Sequence, residues 1–473
     1  MPQLRSPWAE PLANLRKSAA RPPERVSELV IIRGLEERPI GRFQLITIFL
    51  GFAVLTLDGL DFQLLAIAGP SVMADLGITR AQLGPAIAAA LIGMALGGAV
   101  GGWVGDRWGR RPAVIGTTLF FGGATLATGF SGDFLQLTAL RFISGLGFGA
   151  AVPNVMALGA EWTPVKHRAR TVGLLAAGTA VGGLVGSVLA SLIIPAFGWR
   201  GCFILSGAVS VLLVGPLIFW LPESAEFLVQ RGRFDRAIRW IRAAYGEAVV
   251  KADLEQIGAA DAMPLPGARK KTKSILTREW LGTNLALWLT AFGIAYAAYG
   301  VMSWAPTILS TAGFPLHDAV RAAFYFNVTA MLGPLACAWA GPRYGLRNTV
   351  LVLITMQAAS ALALPILLQS TDHLLEVNVA LAIAGFSTGG LAASMYTLAA
   401  VIYPTACRSR GLGGAAATIR IGGIVTAVVG GVLLSLASHP IAAFFLSAGL
   451  TLVMALVGIL ILGRGRPGLG RAA

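Results

Sequence analysis

Twelve stretches of the chain, most of them roughly 20 residues or longer, carry almost no charge, and this pattern constrains the fold more than any other feature. They fall at 44–70, 81–104, 112–131, 134–159, 170–195 and 201–221, then at 281–307, 320–341, 348–369, 375–401, 411–436 and 440–464. Segments of that length match the thickness of a bilayer as helices. Inside lipid every backbone N–H and C=O must be satisfied within the segment, which leaves helix as the available form. Hydrophobic residues make up 56% of the chain and charged residues 12%, about half the charge usual in a soluble domain. Mean hydropathy is +0.73. The 59 glycines suit close helix packing in a membrane.

The six-plus-six spacing is matched by an internal repeat. Gly102-Trp-Val-Gly-Asp106-Arg107-Trp-Gly109-Arg110-Arg111 lies between the second and third segments. A degraded copy, Gly341-Pro-Arg343-Tyr-Gly345-Leu-Arg347, follows 236 positions after Gly105 and preserves Arg107, Gly109 and Arg111 as Arg343, Gly345 and Arg347. Pro164, Arg168 and Arg170 recur as Pro404, Arg408 and Arg410 at an offset of 240. A hydrophobic chain built twice over, with basic turns at equivalent places, reads as a duplicated membrane transporter.

The net charge of +15 does not point to nucleic acid, because the cations sit in alternate loops instead of on one face. Arg107, Arg110, Arg111, Lys166, Arg168, Arg170, Arg343, Arg347, Arg408 and Arg410 follow segments two, four, eight and ten, whereas the opposite loops are nearly free of base. This asymmetry predicts a multi-pass protein of a bacterial-type inner membrane with both termini cytoplasmic. The expected organisation is a cytoplasmic tail (1–43), a six-helix bundle (44–221), a cytoplasmic middle loop (222–280), a second six-helix bundle (281–464) and a short cytoplasmic tail (465–473). The basic middle loop is amphipathic in parts, which suits short helices at the membrane face. The first 43 residues lack the apolar core of a cleaved signal peptide. Cys202, Cys337 and Cys407 lie too far apart for a metal motif or disulfide framework. Trp199 and Trp280 are expected as interfacial anchors.

These residues resemble the major facilitator superfamily. The 102–111 cluster matches its loop between helices two and three. Arg141-Phe-Ile-Ser-Gly145-Leu-Gly147-Phe-Gly149 is similar to its helix-four motif, and Leu221-Pro222-Glu223-Ser224 to the end of helix six in its sugar and organic-acid porters. Within the superfamily the chain resembles the aromatic acid:proton symporters. Leu57-Asp58-Gly59-Leu60-Asp61, Pro153-Asn154…Glu161, Trp288…Tyr299…Trp304-Ala-Pro306 and Tyr403-Pro404-Thr405…Arg408…Arg420 carry that likeness. Two departures stand out: Leu60 occupies the place of a usual Phe, and Pro342 stands where the first half has Asp106. The resemblance implies that the first cluster (Gly102, Asp106, Arg107, Gly109, Arg110, Arg111) gates the inner side.

Ionisable residues inside the spans are costly, at least about 2.5–3.5 kcal/mol each on insertion scales, and so are candidates for function. Asp58 and Asp61 lie three apart in the first segment and share roughly one face. Two acids so placed should titrate as a unit and suit proton coupling; a capping or packing role for one of them is the alternative. Arg420, deep in segment eleven, can grip a carboxylate in two-pronged fashion, or can instead bridge to a helix-one aspartate. Arg141 and Glu161 are 20 residues apart on one segment, about 30 Å, and cannot meet. Arg141 would take a counter-acid or guide protons. Glu161 would meet Arg107, Arg110 or Arg168, and Asp106 would begin or cap the turn into helix three. No histidine falls within a span.

Tyr299 and Trp304, with Trp288, Phe292, Tyr296, Tyr325 and Tyr396, could form a ring-stacking slot, although membrane aromatics commonly serve as anchors or packing. Gln63 and Asn154 could bond a ring hydroxyl or pack across helices. The expected fold is all-α and integral to the membrane, with 12 transmembrane helices in two pseudo-symmetric six-helix bundles. The expected activity is proton-coupled import of small aromatic carboxylates such as hydroxybenzoates by a functional monomer in lipid. No cofactor, metal or nucleic acid is expected. Import of a non-aromatic organic acid or sugar, and reception of aromatic acids without much transport, remain alternatives. No nucleophile elbow, phosphate loop or metal cluster suggests an enzyme.

Overall fold

In the computed structural model, residues 40–246, 277–403, 407–436 and 439–465 are described. The first half comprises α1 (Arg42–Leu76), α2 (Arg80–Trp108), α3 (Arg110–Thr128), α4 (Phe134–Glu161) and α5 (Val165–Trp220). Two short helices follow, α6 (Ala225–Gln230) and α7 (Phe234–Tyr245). The second half comprises α8 (Arg278–Thr311), α9 (Leu316–Tyr344), α10 (Leu346–Leu367), α11 (Leu374–Ile402), α12 (Arg408–Leu436) and α13 (Pro440–Gly465). Among the described residues no strand occurs. The expected tails and most of the middle loop lie outside the described residues.

Ten of these helices are long and apolar enough to cross a membrane. One of them, α5, contains the expected fifth and sixth spans: the chain reverses at Gly198, whose φ of +66° is open to glycine and strained for other residues. The remaining span is α3, only 19 residues long and opened by two arginines. Twelve spanning helices result.

Small residues let the helices approach closely. Gly93, Gly97 and Gly101 recur every fourth position on one face of α2, against the backbone of α4; a Cβ at Gly97 would lie 2.1 Å from the Leu146 carbonyl oxygen. The second half uses the same device, with a Cβ at Gly333 of α9 falling 2.1 Å from the Phe386 carbonyl oxygen of α11. The duplication is also visible at the turns. Gly109 (φ +109°) and Gly345 (φ +84°) link α2 to α3 and α9 to α10. Arg107 covers the Trp103 ring at 5.5 Å, and Arg343 covers Trp339 at 4.3 Å.

The distribution of the core defines the conformation. One apolar cluster joins both halves, bringing Leu64, Ile67 and Leu83 together with Trp304, Ala427 and Phe444. A second cluster belongs to the first half alone, packing Phe121, Phe148 and Trp162 with Leu228 and Ile241 of the short helices. The third belongs to the second half alone, around Leu287, Leu398 and Tyr403. The halves are thus sealed on the face away from α6 and α7 and separated on the face that bears them, called here the loop face. Two polar ties reinforce the sealed face. Arg80 Nη1 donates to the Leu434 carbonyl at 3.3 Å, and Asn327 Nδ2 donates to Ser187 Oγ at 3.3 Å.

Candidate functional site

The acids of α1 sit midway along the helix and are 3% (Asp58) and 2% (Asp61) exposed. Although three residues apart, they have different partners. Asp61 Oδ2 accepts from Arg141 Nη1 of α4 at 2.8 Å, and its Oδ1 accepts from Thr125 Oγ1 of α3 at 2.8 Å. Arg141, 1% exposed, also donates through Nη2 to Thr128 Oγ1 at 2.9 Å and lies 4.8 Å over the Phe203 ring. This is a fully buried ion pair braced by two threonine hydroxyls, with Arg141 Nε left unpartnered.

Asp58 forms no such pair. Its Oδ1 is buried without a hydrogen-bond partner, and its charged neighbours are Asp61 and Arg420. Arg420 comes from the other half, on α12. Its Nη2 reaches within 3.9 Å of the Cβ position of Gly98 on α2, so it sits at the seam. Among the described residues its side chain forms no hydrogen bond or ion pair. The alternative of a salt bridge from Arg420 to a helix-one aspartate is therefore absent in this conformation: Asp61 is taken by Arg141, and Asp58 interacts through space only. A half-buried guanidinium without a protein partner is suited to an anionic ligand.

Aromatic rings adjoin this seam. Tyr299 of α8 meets Phe62 of α1 edge to face at 5.9 Å between ring centroids. Its hydroxyl lies within electrostatic range of Tyr396, Arg420 and Asp58. Tyr396 itself is 48% exposed. A guanidinium and three rings thus converge from α1, α8, α11 and α12. Phe62 is the residue sequence reasoning passed over. It stands four positions after Asp58, on the same helix face, which is the signal that could have found it.

Other expected binding residues are placed differently. Trp304 is fully buried among Gly430, Gly431 and Phe444 in the core that joins the halves, so it helps seal the closed face. Tyr296 turns to α13, bonding Ser447 at 3.0 Å. Asn154 spends its amide on the carbonyls of Gly101 and Ala150, both at 2.8 Å, which is the packing alternative. Gln63 is 1% exposed beside Gly186, with its Oε1 unpartnered. Tyr325 is exposed and stacks edge to face on Phe324. Trp199 is not an interfacial anchor: it is buried against Phe203 and donates Nε1 to Asp75 at 3.1 Å.

At the loop face Glu161 pairs with Arg110, one of its three expected partners. Arg168 instead donates Nε to the Ala160 carbonyl at 2.8 Å, closing the end of α4. Gly102 faces open space, and Arg107 accepts at its carbonyl from Arg231. Asp106 does not cap α3. It lies exposed in the last turn of α2, and the residue at the N-cap is Gly109. The acceptor comes instead from Glu223, whose Oε1 takes the amides of Arg110 (2.9 Å), Arg111 (3.1 Å) and Ser224 (2.8 Å). A Cβ on Gly109 would strike Glu223 Oε2 at 2.4 Å, so that glycine is required twice over. Arg408 opens α12, and its side chain lies outside the described residues.

The Major Facilitator Superfamily family model matches residues 51–375. The chain belongs to this superfamily. As a major facilitator it is a membrane transport protein and not an enzyme. It is 32% identical over 403 residues to the 4-hydroxybenzoate transporter PcaK of Pseudomonas putida, covering 85% of this chain and 89% of that one. It is 29% identical to the gallate transporter of the same organism (90% and 91% covered) and 28% identical to the niacin transporter NiaP of Acinetobacter baylyi (84% and 89%). The fold is that of the xylose transporter XylE from E. coli in its inward open conformation, with TM-score 0.66, 18% identity and 88% and 95% of the chains covered. A bacterial homolog of the human lysosomal transporter Spinster gives 0.66 at 15% identity, with 89% and 97% covered.

Proposed function

We propose that this protein imports small aromatic carboxylates across a bacterial inner membrane, coupled to protons, by alternating access. The observation that carries the reading is Arg420, an unpartnered cation at the seam of the two halves with Tyr299, Phe62 and Tyr396 around it. A guanidinium can hold a carboxylate through two parallel hydrogen bonds, and the rings supply faces and edges for an arene. The relatives named for 4-hydroxybenzoate, gallate and niacin support the same class of substrate, an aromatic ring bearing a carboxylate.

The proton site in this reading is Asp61 with Arg141, and Asp58 lies between it and the substrate cation. Protonation of Asp61 frees Arg141 from its counter-charge, which favours rearrangement of α1 against α4. With both termini cytoplasmic, the loop face is cytoplasmic and the structure is the inward-open state. Within Leu221-Pro222-Glu223-Ser224, Glu223 and Ser224 cap α3 and α6.

The test is accumulation of radiolabelled 4-hydroxybenzoate in proteoliposomes under an imposed inward proton gradient, for wild type and Asp61→Asn. Gradient-driven accumulation that the substitution abolishes supports the reading. Accumulation indifferent to gradient and substitution refutes the coupling, and absence of aromatic-acid uptake by folded protein refutes the substrate class.

A further inference from the structure

A cavity of about 310 Å³ at the loop face, between the start of α3 and the helices α6 and α7, has no part in the transport reading. Its polar lining is Arg111, Arg233, Arg236 and Glu223, and Trp108 and Trp240 flank it. Charge in this lining is unbalanced. Glu223 is the one carboxylate, and its Oε1 already accepts three backbone amides. The side chains of Arg233 and Arg236 are exposed and form no ion pair or hydrogen bond among the described residues. Arg111 donates Nη2 to the Ile218 carbonyl of α5 and keeps a buried Nε without a partner, while its guanidinium lies 5.7 Å over the Trp240 ring.

Three cations converging on a cavity of this size fit a phosphate group. The surroundings identify its source. Pro112 and Ile115 complete the lining on the membrane side. Beyond them the outer surfaces of α3 and α5 expose Leu119, Phe120, Ile218, Phe219 and Trp220, with Phe219 76% exposed. In a spanning protein that apolar wall faces acyl chains, and exposed Trp108 marks the headgroup depth. A soluble anion would use the arginines and leave the wall idle, whereas a phospholipid uses both.

We infer that this cavity binds the phosphate headgroup of an anionic phospholipid, with its acyl chains lying along α3 and the second arm of α5. Bound there, the lipid joins α7 to the start of α3, next to Glu223 and the Arg110–Glu161 pair. Basic groups near a membrane surface each strengthen attraction to anionic lipid, so removing one arginine should weaken the site roughly fivefold and removing two about thirtyfold.

The experiment is native mass spectrometry of the full-length protein extracted from vesicles of phosphatidylethanolamine and phosphatidylglycerol, with retained phosphatidylglycerol counted. Wild type should keep one phosphatidylglycerol that the double variant Arg233→Gln/Arg236→Gln loses. Arg239→Gln, on the same helix but outside the lining, should keep it, and so should Arg233→Lys/Arg236→Lys. Excess soluble glycerol phosphate should fail to displace the lipid. Equal retention by wild type and the double variant would overturn the proposal, as would loss in Arg239→Gln equal to that in the double variant. Displacement by glycerol phosphate or inorganic phosphate at matched concentration would overturn it in favour of a soluble anion. Arg233 precedes α7 as its N-cap residue, and Arg236 and Arg239 lie on its exposed face, so the variants should fold.

Discussion

Breaking the Asp61–Arg141 pair should destabilise the protein asymmetrically, and the asymmetry follows from which partner can change its charge. The two groups are 3% and 1% exposed at the side chain and meet at 2.8 Å. At an effective dielectric constant near 20 the attraction between unit charges at that separation is about 6 kcal/mol. Leaving one buried charge without its partner costs about 3–5 kcal/mol. Asp61→Asn keeps the shape and the Thr125 contact but strands Arg141, which cannot shed its proton, so the full cost is expected. Arg141→Gln strands a carboxylate, a type of group that can be neutralised on burial as a guanidinium cannot, so its cost should be smaller. The double variant removes both charges and should lie closer to wild type than Asp61→Asn does, with a coupling energy of at least about 2 kcal/mol. The assay is reversible unfolding in lipid bicelles by a denaturing detergent. Single variants costing under about 1 kcal/mol, or a cycle additive within about 0.5 kcal/mol, would refute the argument.

Four further outcomes are expected. Arg420→Lys should weaken equilibrium binding of 4-hydroxybenzoate roughly 10- to 100-fold, because a lysine cannot reproduce the fork; calorimetry on the purified protein measures this. Tyr299→Ala should cost about 0.5–1.5 kcal/mol of affinity for an aromatic acid beyond lost contact area, and substantially less for an aliphatic acid in competition assays. Gly97→Ala places a Cβ 2.1 Å from the Leu146 carbonyl oxygen and should lower stability by about 1–3 kcal/mol in the bicelle assay. Glu223→Ala removes the acceptor for the amides opening α3 and should cost about 0.5–2 kcal/mol there; an unchanged unfolding midpoint would mean that water replaces it freely.

Properties local to a segment were legible in the sequence. Segment length and absence of charge give the spans, and the copy of Gly109 as Gly345 carries into structure as the same left-handed turn. The reversal at Gly198 occupies the gap expected between the fifth and sixth segments. Pairings across helices were less legible. That Arg141 needed a counter-acid followed from burying a charge, but the choice of Asp61 over Asp58 depends on how α1 rotates against α3 and α4, where Thr125 and Thr128 complete the pair. Nothing in the local sequence of those threonines distinguishes them from packing residues. Glu223 belongs to the same class. It lies 113 positions from Arg110, and only the folded chain reveals that it, and not Asp106, terminates α3.

The two chemistries of the proposed cycle belong to different halves, and this makes coupling between them a question about a single residue. Asp61, Thr125, Thr128 and Arg141 all lie on helices of the first half, so the proposed proton site would be complete without the second. Arg420 belongs to the second half. Asp58 is the group electrostatically tied to both, through Asp61 on its own helix and Arg420 across the seam. A substrate carboxylate on Arg420 competes with Asp58 for that cation, and the carboxylate that loses is left in a site it shares with Asp61. In the proposed cycle substrate and proton would therefore bind with positive coupling, each easing the entry of the other. By reciprocity the two effects have equal free energies. Among the described residues the two polar ties between halves on the sealed face, Arg80 to Leu434 and Asn327 to Ser187, are long at 3.3 Å. A coupling of one to three kcal/mol, the usual size of such linkages, is on the scale of two such hydrogen bonds and hence able to bias which face is open.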